Sequence, residues 1–313
     1  MIIITGGAGF IGSNLVAGLN NMGHTEILVV DDLTDGRKCL NLADLSIADY
    51  LDKADLFDYL NLAEPNSIEA IFHLGACSAT TEWNGQFLMK NNYEFSKNLF
   101  HWCQDNLVPF IYASSASVYG LGERGFSEKS VCEDPINAYA FSKLMFDRYV
   151  FSQNRALTSQ VVGLRYFNVY GPRENHKDNM VSPAYSFFHQ IKNNGISKIF
   201  ESSHGYSDGD HERDFVYVGD CVKVNLWFLK KPKKSGLFNV GTGCAASFNQ
   251  VCQEIINYVG YGSISYIPFP EHLKKHYQSY TQADISSLRS AGYDHDFKDI
   301  KAGMKIYCKN LSA

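Results

Sequence analysis

Proline is scarce in this chain, 8 residues of 313, and the eight cysteines (Cys39, Cys77, Cys103, Cys132, Cys221, Cys244, Cys252 and Cys308) include no CxxC pair and no metal-ligand spacing. That scatter excludes a zinc ribbon or a dithiol redox motif and predicts reduced thiols used mainly for packing, with no metal. No stretch approaches the roughly 18 consecutive apolar residues of a membrane span, so no membrane partner is expected. Basic charge is also short: 28 Lys and Arg stand against 33 Asp and Glu, a net charge of -5. Nucleic-acid binding needs a clustered basic face. The one basic run, Lys230, Lys231, Lys233 and Lys234 around Pro232, reads as a solvated loop. No spare segment precedes the first apolar run, Ile2 to Ile4, so no leader peptide is expected and a cytoplasmic location is.

What the chain does have is 45% hydrophobic and 19% charged residues, the balance of a protein folded throughout. Short apolar runs at Ile2 to Thr5, Ile27 to Asp31, Ala70 to Leu74, Phe110 to Ser114 and Val161 to Tyr166 alternate with helical patterns near 10–22, 52–62, 92–106 and 137–154. Such alternation predicts an α/β fold, a Rossmann-type doubly wound parallel sheet covered on both faces. Beyond residue 168 the rhythm loosens and 202–212 reads as a loop. Arg213 to Asp220 then resembles a strand leading into a helix that packs back on the sheet. We therefore expect a dinucleotide-binding part over 1–168 with a return segment near 214–236. A smaller α/β substrate-binding lobe is expected over 169–213 and 237–313, interleaved in sequence.

Thr5-Gly6-Gly7-Ala8-Gly9-Phe10-Ile11-Gly12 directly follows the first strand and opens a helix. Gly6, Gly9 and Gly12 supply the tight turn, the close approach of a pyrophosphate and the helix-on-strand packing of a dinucleotide site, with the positive helix terminus facing the phosphates. Asp31 and Asp32 end the second strand where a carboxylate accepts from the adenosine ribose, favouring NAD. Arg37 and Lys38 follow within reach of a 2′-phosphate, favouring NADP. The residues leave both cofactors open.

Tyr139 and Lys143 stand four apart on one helix face, and Ser115 ends a strand at the edge where parallel sheets bind ligands. Taking a hydride from a secondary alcohol also requires taking its hydroxyl proton. A phenol with an ordinary pKa of about 10 does this only if a nearby cation favours the phenolate. Lys143 supplies that cation, and Ser115 orients the reacting oxygen. Lys177, after the turn at Tyr170 to Arg173, is either a second acid/base, a phosphate ligand or an exposed lysine. A non-catalytic dinucleotide sensor is disfavoured because the Tyr, Lys and Ser set is complete.

Gly75-Ala76-Cys77-Ser78-Ala79-Thr80-Thr81-Glu82-Trp83, Arg165 to Glu174 with His176-Lys177, and Tyr266-Ile267-Pro268-Phe269-Pro270 followed by Tyr277-Gln278 and Thr281 to Asp284 are more specific. On these stretches the chain resembles, over nearly its whole length, the ADP-L-glycero-D-manno-heptose 6-epimerases among the extended short-chain dehydrogenases/reductases. The resemblance implies tightly held NADP, transient oxidation and hydride return at C6 of an ADP-heptose, and Tyr139 and Lys177 as the two acid/base residues. It further implies that Phe10, Ile11, Asp31, Asp32, Lys38, Lys53, Leu74, Gly75, Ala76, Cys77, Ser78, Asn91, Lys143 and Val169 line the cofactor. Asn168, Asn179, Ser186, Phe200, Glu201, Ser202, Ser203, Arg213 and Tyr277 would face the substrate, with Arg213 suited to clamp a diphosphate. A homo-oligomer, specifically a homopentamer, and a place in lipopolysaccharide core synthesis come with the resemblance. Leu74, Asn179 and Ser186 depart from the family's usual glutamate, serine and histidine, and the 204–212 loop is longer. Sugar dehydratases of the superfamily carry an Asp-Glu pair where Ala116 and Ser117 stand, so elimination is disfavoured. A UDP-sugar 4-epimerase on the same scaffold is the nearest alternative.

Overall fold

The computed structural model describes residues 1–312 apart from 152–156, 272–273 and 275–276. The uninterrupted apolar runs become strands because a parallel sheet is buried on both faces. In chain order the first part contains β1 (Ile2–Thr5), α1 (Phe10–Asn20), β2 (Ile27–Asp31), β3 (Asp49–Asp52), α2 (Leu56–Leu62), β4 (Ala70–His73), α3 (Gly85–Leu88), α4 (Phe95–Asp105), β5 (Phe110–Ser115), α5 (Ala138–Phe151) and β6 (Val161–Tyr166). There follow β7 (Asn168–Tyr170), α6 (Pro183–Asn194), β8 (Ile196–Phe200), β9 (Glu212–Arg213), β10 (Phe215–Tyr217), α7 (Val218–Leu229), β11 (Gly236–Val240), β12 (Ala246–Ser247), α8 (Phe248–Val259), β13 (Ser263–Ile267), α9 (Ser286–Ser290) and α10 (Ile300–Leu311).

Seven strands form one parallel sheet in the order β11-β6-β5-β4-β1-β2-β3, with Thr5 level with both Val30 and His73. The chain winds away from β1 in both directions, so a crevice opens at the carboxyl ends of β1 and β4. On one face α1 and α7 bury Leu15, Val16, Leu19 and Val222 against the sheet. On the other, α4 and α5 bury Leu99, Phe100, Phe146 and Val150. The smaller lobe has its own core, where Phe187, Phe188 and Ile191 of α6 meet Val251 and Ile255 of α8 and Met304 of α10.

Three expectations need adjustment. The helix expected over 52–62 starts at Leu56, because the Asp52 carboxylate accepts from the Ala54 N–H at 2.9 Å and turns the chain first; Asp49–Asp52 is an edge strand instead. The helix expected from 92 begins as α4 at Phe95, after a wider π-helical turn over Met89–Glu94. The return segment expected near 214–236 runs on through β11 (Gly236–Val240), which pairs with β6 in the main sheet and buries Phe238 and Val240 in its core. The last residues of the helix expected over 137–154 lie outside the described residues. The strand-to-helix reading of 213–220 matches β10 and α7.

Candidate active site

The glycine turn is tight by necessity. Gly6 sits at φ +68°, and a Cβ on Gly12 would come within 2.1 Å of the Gly6 carbonyl, so neither position tolerates a side chain. Gly9 caps α1 without a side-chain hydrogen bond, and the first-turn N–H groups of a helix have no acceptor within it. They face a cleft of about 630 Å³ with the polarity a pyrophosphate requires. A smaller recess of about 230 Å³ adjoins it, lined by Asp31, Asp32, Lys38, Lys53, Gly75, Ala76, Cys77 and Asn91 among others. The cofactor-lining residues implied by the resemblance all border one of these two spaces; Arg37, the other candidate for a 2′-phosphate, does not.

Charges in the recess are balanced. Lys38 Nζ lies 2.7 Å from Asp31 Oδ1 and Lys53 Nζ 3.0 Å from Asp32 Oδ2. The other Asp31 oxygen accepts from the Ala8 N–H in the glycine turn at 2.9 Å, so Asp31 braces the turn it faces. Hydrogen bonds from Thr34, then the Lys53 ammonium, hold the Asp32 carboxyl well below the usual carboxylate range. Arg37 does not border either space; its guanidinium bonds Asp35 and Asp178 instead.

Tyr139, Lys143 and Ser115 meet in the larger cleft with Phe10, Asn168, Val169, His176 and Lys177. Helix α5 supplies the first two from one face, and β5 ends at Ser115. Burial pushes the Tyr139 phenol up, opposed by a hydrogen bond with Ser115 that favours the phenolate. Burial pushes the Lys143 amine down to about 8, with Asp147 one turn further along the helix acting against it. Lys143 Nζ donates to the Ala113 carbonyl at 2.9 Å. Lys177, from the 3-10 turn Asn175–Met180, stands 5.0 Å from the Phe10 ring centre, its amine also lowered by burial.

The expected substrate residues fall in two places. Asn168 lines the cleft, whereas Asn179 and Ser186 border neither space; Ser186 Oγ accepts from Gln190. Phe200, Ser203, Arg213 and Tyr277 gather in the smaller lobe, where Arg213 stacks on Tyr277 at 5.0 Å and Phe248 at 5.6 Å. Arg213 is only 6% exposed yet has no carboxylate within ion-pair distance among the described residues. A buried guanidinium in that condition is suited to an anionic ligand. Glu201 and Ser202 continue from β8, with the Ser202 N–H donating to Asp208.

The longer 204–212 loop packs over this cluster through His204 and His211. His204 Nε2 faces the Lys274 carbonyl at 2.7 Å, so in the neutral ring it carries the proton and leaves Nδ1 to accept from Ser203 Oγ at 2.9 Å. Ser203 Oγ then accepts from His211 Nε2 at 2.8 Å. Phe269 and Tyr277 close around both rings.

Several supports carried no sequence assignment. Gly75 N–H donates to Thr5 Oγ, Thr5 O–H to His73 Nδ1, His73 Nε2–H to Ser96 Oγ, and Ser96 O–H to the Asn92 carbonyl. This direction follows because the Asn92 carbonyl can only accept. The Asn92 side chain clamps both backbone groups of Cys77 at 2.9 Å and donates to Ser142, joining the loop after β4 to the helix that carries Tyr139 and Lys143. Below it, Asp147 accepts from Tyr112, Ser114 and Arg165. The signal available was Arg165 itself, a charge inside an apolar strand that needs a buried partner.

A model of the NAD dependent epimerase/dehydratase family matches residues 2–241. The chain belongs to that family. Within it, the chain is 56% identical over 308 residues, 98% of its length and 96% of the relative's, to a protein of Alkalilimnicola ehrlichii named ADP-L-glycero-D-manno-heptose-6-epimerase. The crystal structure of the Helicobacter pylori ADP-L-glycero-D-manno-heptose-6-epimerase superposes with a TM-score of 0.85 at 32% identity, covering 100% of this chain and 96% of that one. A UDP-N-acetylglucosamine 4-epimerase from Methanobrevibacter ruminantium, in complex with UDP-N-acetylmuramic acid, gives 0.83 at 25% identity, covering 99% and 97%. This epimerase-family chain therefore has a nicotinamide-dependent nucleotide-sugar site, and no helix among its described residues is long and apolar enough to cross a membrane.

Proposed function

We propose that the protein converts ADP-D-glycero-β-D-manno-heptose to ADP-L-glycero-β-D-manno-heptose by epimerisation at C6, using bound NADP, in the synthesis of lipopolysaccharide core heptose. The observation that carries the reading is the convergence of Tyr139, Lys143, Ser115 and Lys177 on one cleft floored by the glycine turn. Two proton-transfer groups from separate elements suit a reaction in which one carbon is attacked from either face. The bound nicotinamide supplies a reversible acceptor and donor of hydride at that carbon. Tyr139, as phenolate, takes the C6 hydroxyl proton while the Ser115 hydroxyl holds the oxygen. After the resulting ketone turns its other face, Lys177 returns a proton to the oxygen. The substrate loses and regains one hydride and one proton and changes only in configuration, while Tyr139 ends protonated and Lys177 deprotonated, so one proton exchanged through solvent from Tyr139 to Lys177 resets the pair. Lys143 keeps a positive charge beside Tyr139 and fastens the cofactor.

NADP is favoured by Lys38 and Lys53, two cations in the adenosine-side recess; Asp31 and Asp32 in the same recess favour NAD, and releasing and identifying the bound dinucleotide decides. Arg213, stacked and without a carboxylate, is assigned to the substrate diphosphate. Asn168, Phe200, Glu201, Ser202, Ser203 and Tyr277 complete the substrate side by resemblance, as do Asn179 and Ser186. A cytoplasmic homopentamer is the expected assembly, checked by light scattering. Turnover of ADP-heptose but not of UDP-glucose or UDP-N-acetylglucosamine supports the substrate assignment; the reverse replaces it with a 4-epimerase.

A further inference from the structure

We infer that Arg37 and Asp178 are a positioning pair that ties the Lys177 turn across the mouth of the cofactor cleft, holding the amine in place and slowing dinucleotide exchange. The inference rests on the reading of Lys177 as the second acid/base. Arg37 lies beyond β2, on the adenosine side, and Asp178 immediately follows Lys177. The guanidinium meets Asp178 twice, Nη1 to Oδ1 at 2.5 Å and Nη2 to Oδ2 at 2.8 Å, and Asp35 twice at 2.9 Å. One planar fork thus spans two carboxylates from opposite sides, a geometry lysine cannot reproduce.

The turn's backbone is itself in an unusual conformation at the contact. Asp178 sits at φ +47°, ψ -120°, a conformation that residues with a side chain rarely adopt and that persists only where surroundings impose it. Two further ties run in parallel: Arg173 bonds Asp44 at 2.7 and 2.9 Å, and Asn41 Nδ2 reaches the Ala8 and Arg173 carbonyls and His176 Nδ1. Segments 35–44 and 173–178 are therefore joined at several points, while Asp35, Lys38, His176 and Lys177 face the cleft between them. Lys177 has no carboxylate within ion-pair distance among the described residues, so its position depends on its neighbours in the turn. Arg37 and Asp178 remain largely solvent-exposed, which makes the tie weak enough to open and sensitive to salt.

The test uses purified protein loaded with NADPH and chased with excess NADP, and in parallel with NADH and NAD, reading release by nicotinamide fluorescence. Arg37→Ala and Asp178→Gly should each release dinucleotide about two- to fivefold faster, the range for an exposed pair, and the double variant no faster than either. Raising salt to 1 M screens the cofactor phosphates in both proteins, and should speed wild-type release by a larger factor than release from Arg37→Ala. Turnover in the single variants should fall in kcat at unchanged KM, and Arg37→Lys should recover only part of the loss. Release at the wild-type rate in Arg37→Ala, or equal salt acceleration of both proteins, overturns the inference. Turnover by Lys177→Met would instead remove the acid/base reading, a failure the release rates do not share.

Discussion

Lowering the pH from 7 to 5 should cost about 2 kcal/mol of folding stability through His73 alone. The ring is 2% exposed, accepts from Thr5 O–H at 2.6 Å and donates to Ser96 Oγ at 2.7 Å. It therefore has no room for a second ring proton, and burial, with the Lys143 charge adding to it, pushes its pKa down to about 3. In the unfolded chain an ordinary value of about 6.5 applies. Between those values the unfolded state binds more protons, so stability is full above about 6.5 and falls as pH drops towards 3, by about 1.4 kcal/mol per unit once below the unfolded value. Urea unfolding at pH 7 and pH 5 measures it, with His73→Gln as the reference that lacks the titrating ring. The wild type should lose about 2 kcal/mol more than the variant over that interval. An equal loss in both proteins would refute the argument, since every other titrating group is common to the two.

Three other outcomes are expected. Tyr139→Phe and Lys177→Met should each lower kcat by about 10²- to 10⁴-fold while the protein keeps its dinucleotide; activity near wild type in either removes that residue from the chemistry. Arg213→Ala should raise KM for the nucleotide sugar roughly 10- to 100-fold, as for hydrogen bonds to a charged group, with little change in Tm because no buried carboxylate is left unpaired; an unchanged KM places the diphosphate elsewhere. Asp147→Leu should destabilise the fold by about 3–5 kcal/mol in urea, since it leaves three buried donors, the Tyr112 and Ser114 hydroxyls and the Arg165 Nε–H, without their shared acceptor, although Glu133 still pairs the Arg165 guanidinium; a loss under 1 kcal/mol would contradict the assigned network.

The main sheet was readable because its strands are buried on both faces and so are written as unbroken apolar runs, as in Val161–Tyr166. Asp49–Asp52 escaped because an edge strand with acids at both ends carries no such run. The cofactor cleft was legible from local motifs: a glycine turn needs its glycines adjacent, and Tyr139 and Lys143 share a helix face. Contacts between distant segments were not. Arg37 reads equally well as a phosphate ligand until Asp178, 141 residues away, is seen to hold it. Glu174 is similar: its carboxylate accepts from Ser182 N–H and O–H and from the Tyr307 hydroxyl, closing the turn that bears Lys177, and no spacing announces it. The substrate side was legible only by resemblance, and of the residues it implies only Asn168 borders the cleft; Phe200, Ser203, Arg213 and Tyr277 gather apart from it in the smaller lobe, and Asn179 and Ser186, both departures from the family pattern, border neither space.

The most direct test of the catalytic account incubates the purified protein, without added cofactor, with ADP-D-glycero-β-D-manno-heptose and follows the C6 configuration by proton NMR, then identifies the dinucleotide released on denaturation. Conversion to the L-glycero epimer with NADP released is the predicted result. No conversion of the ADP-heptose, with turnover of a UDP-sugar at the same site, would contradict it.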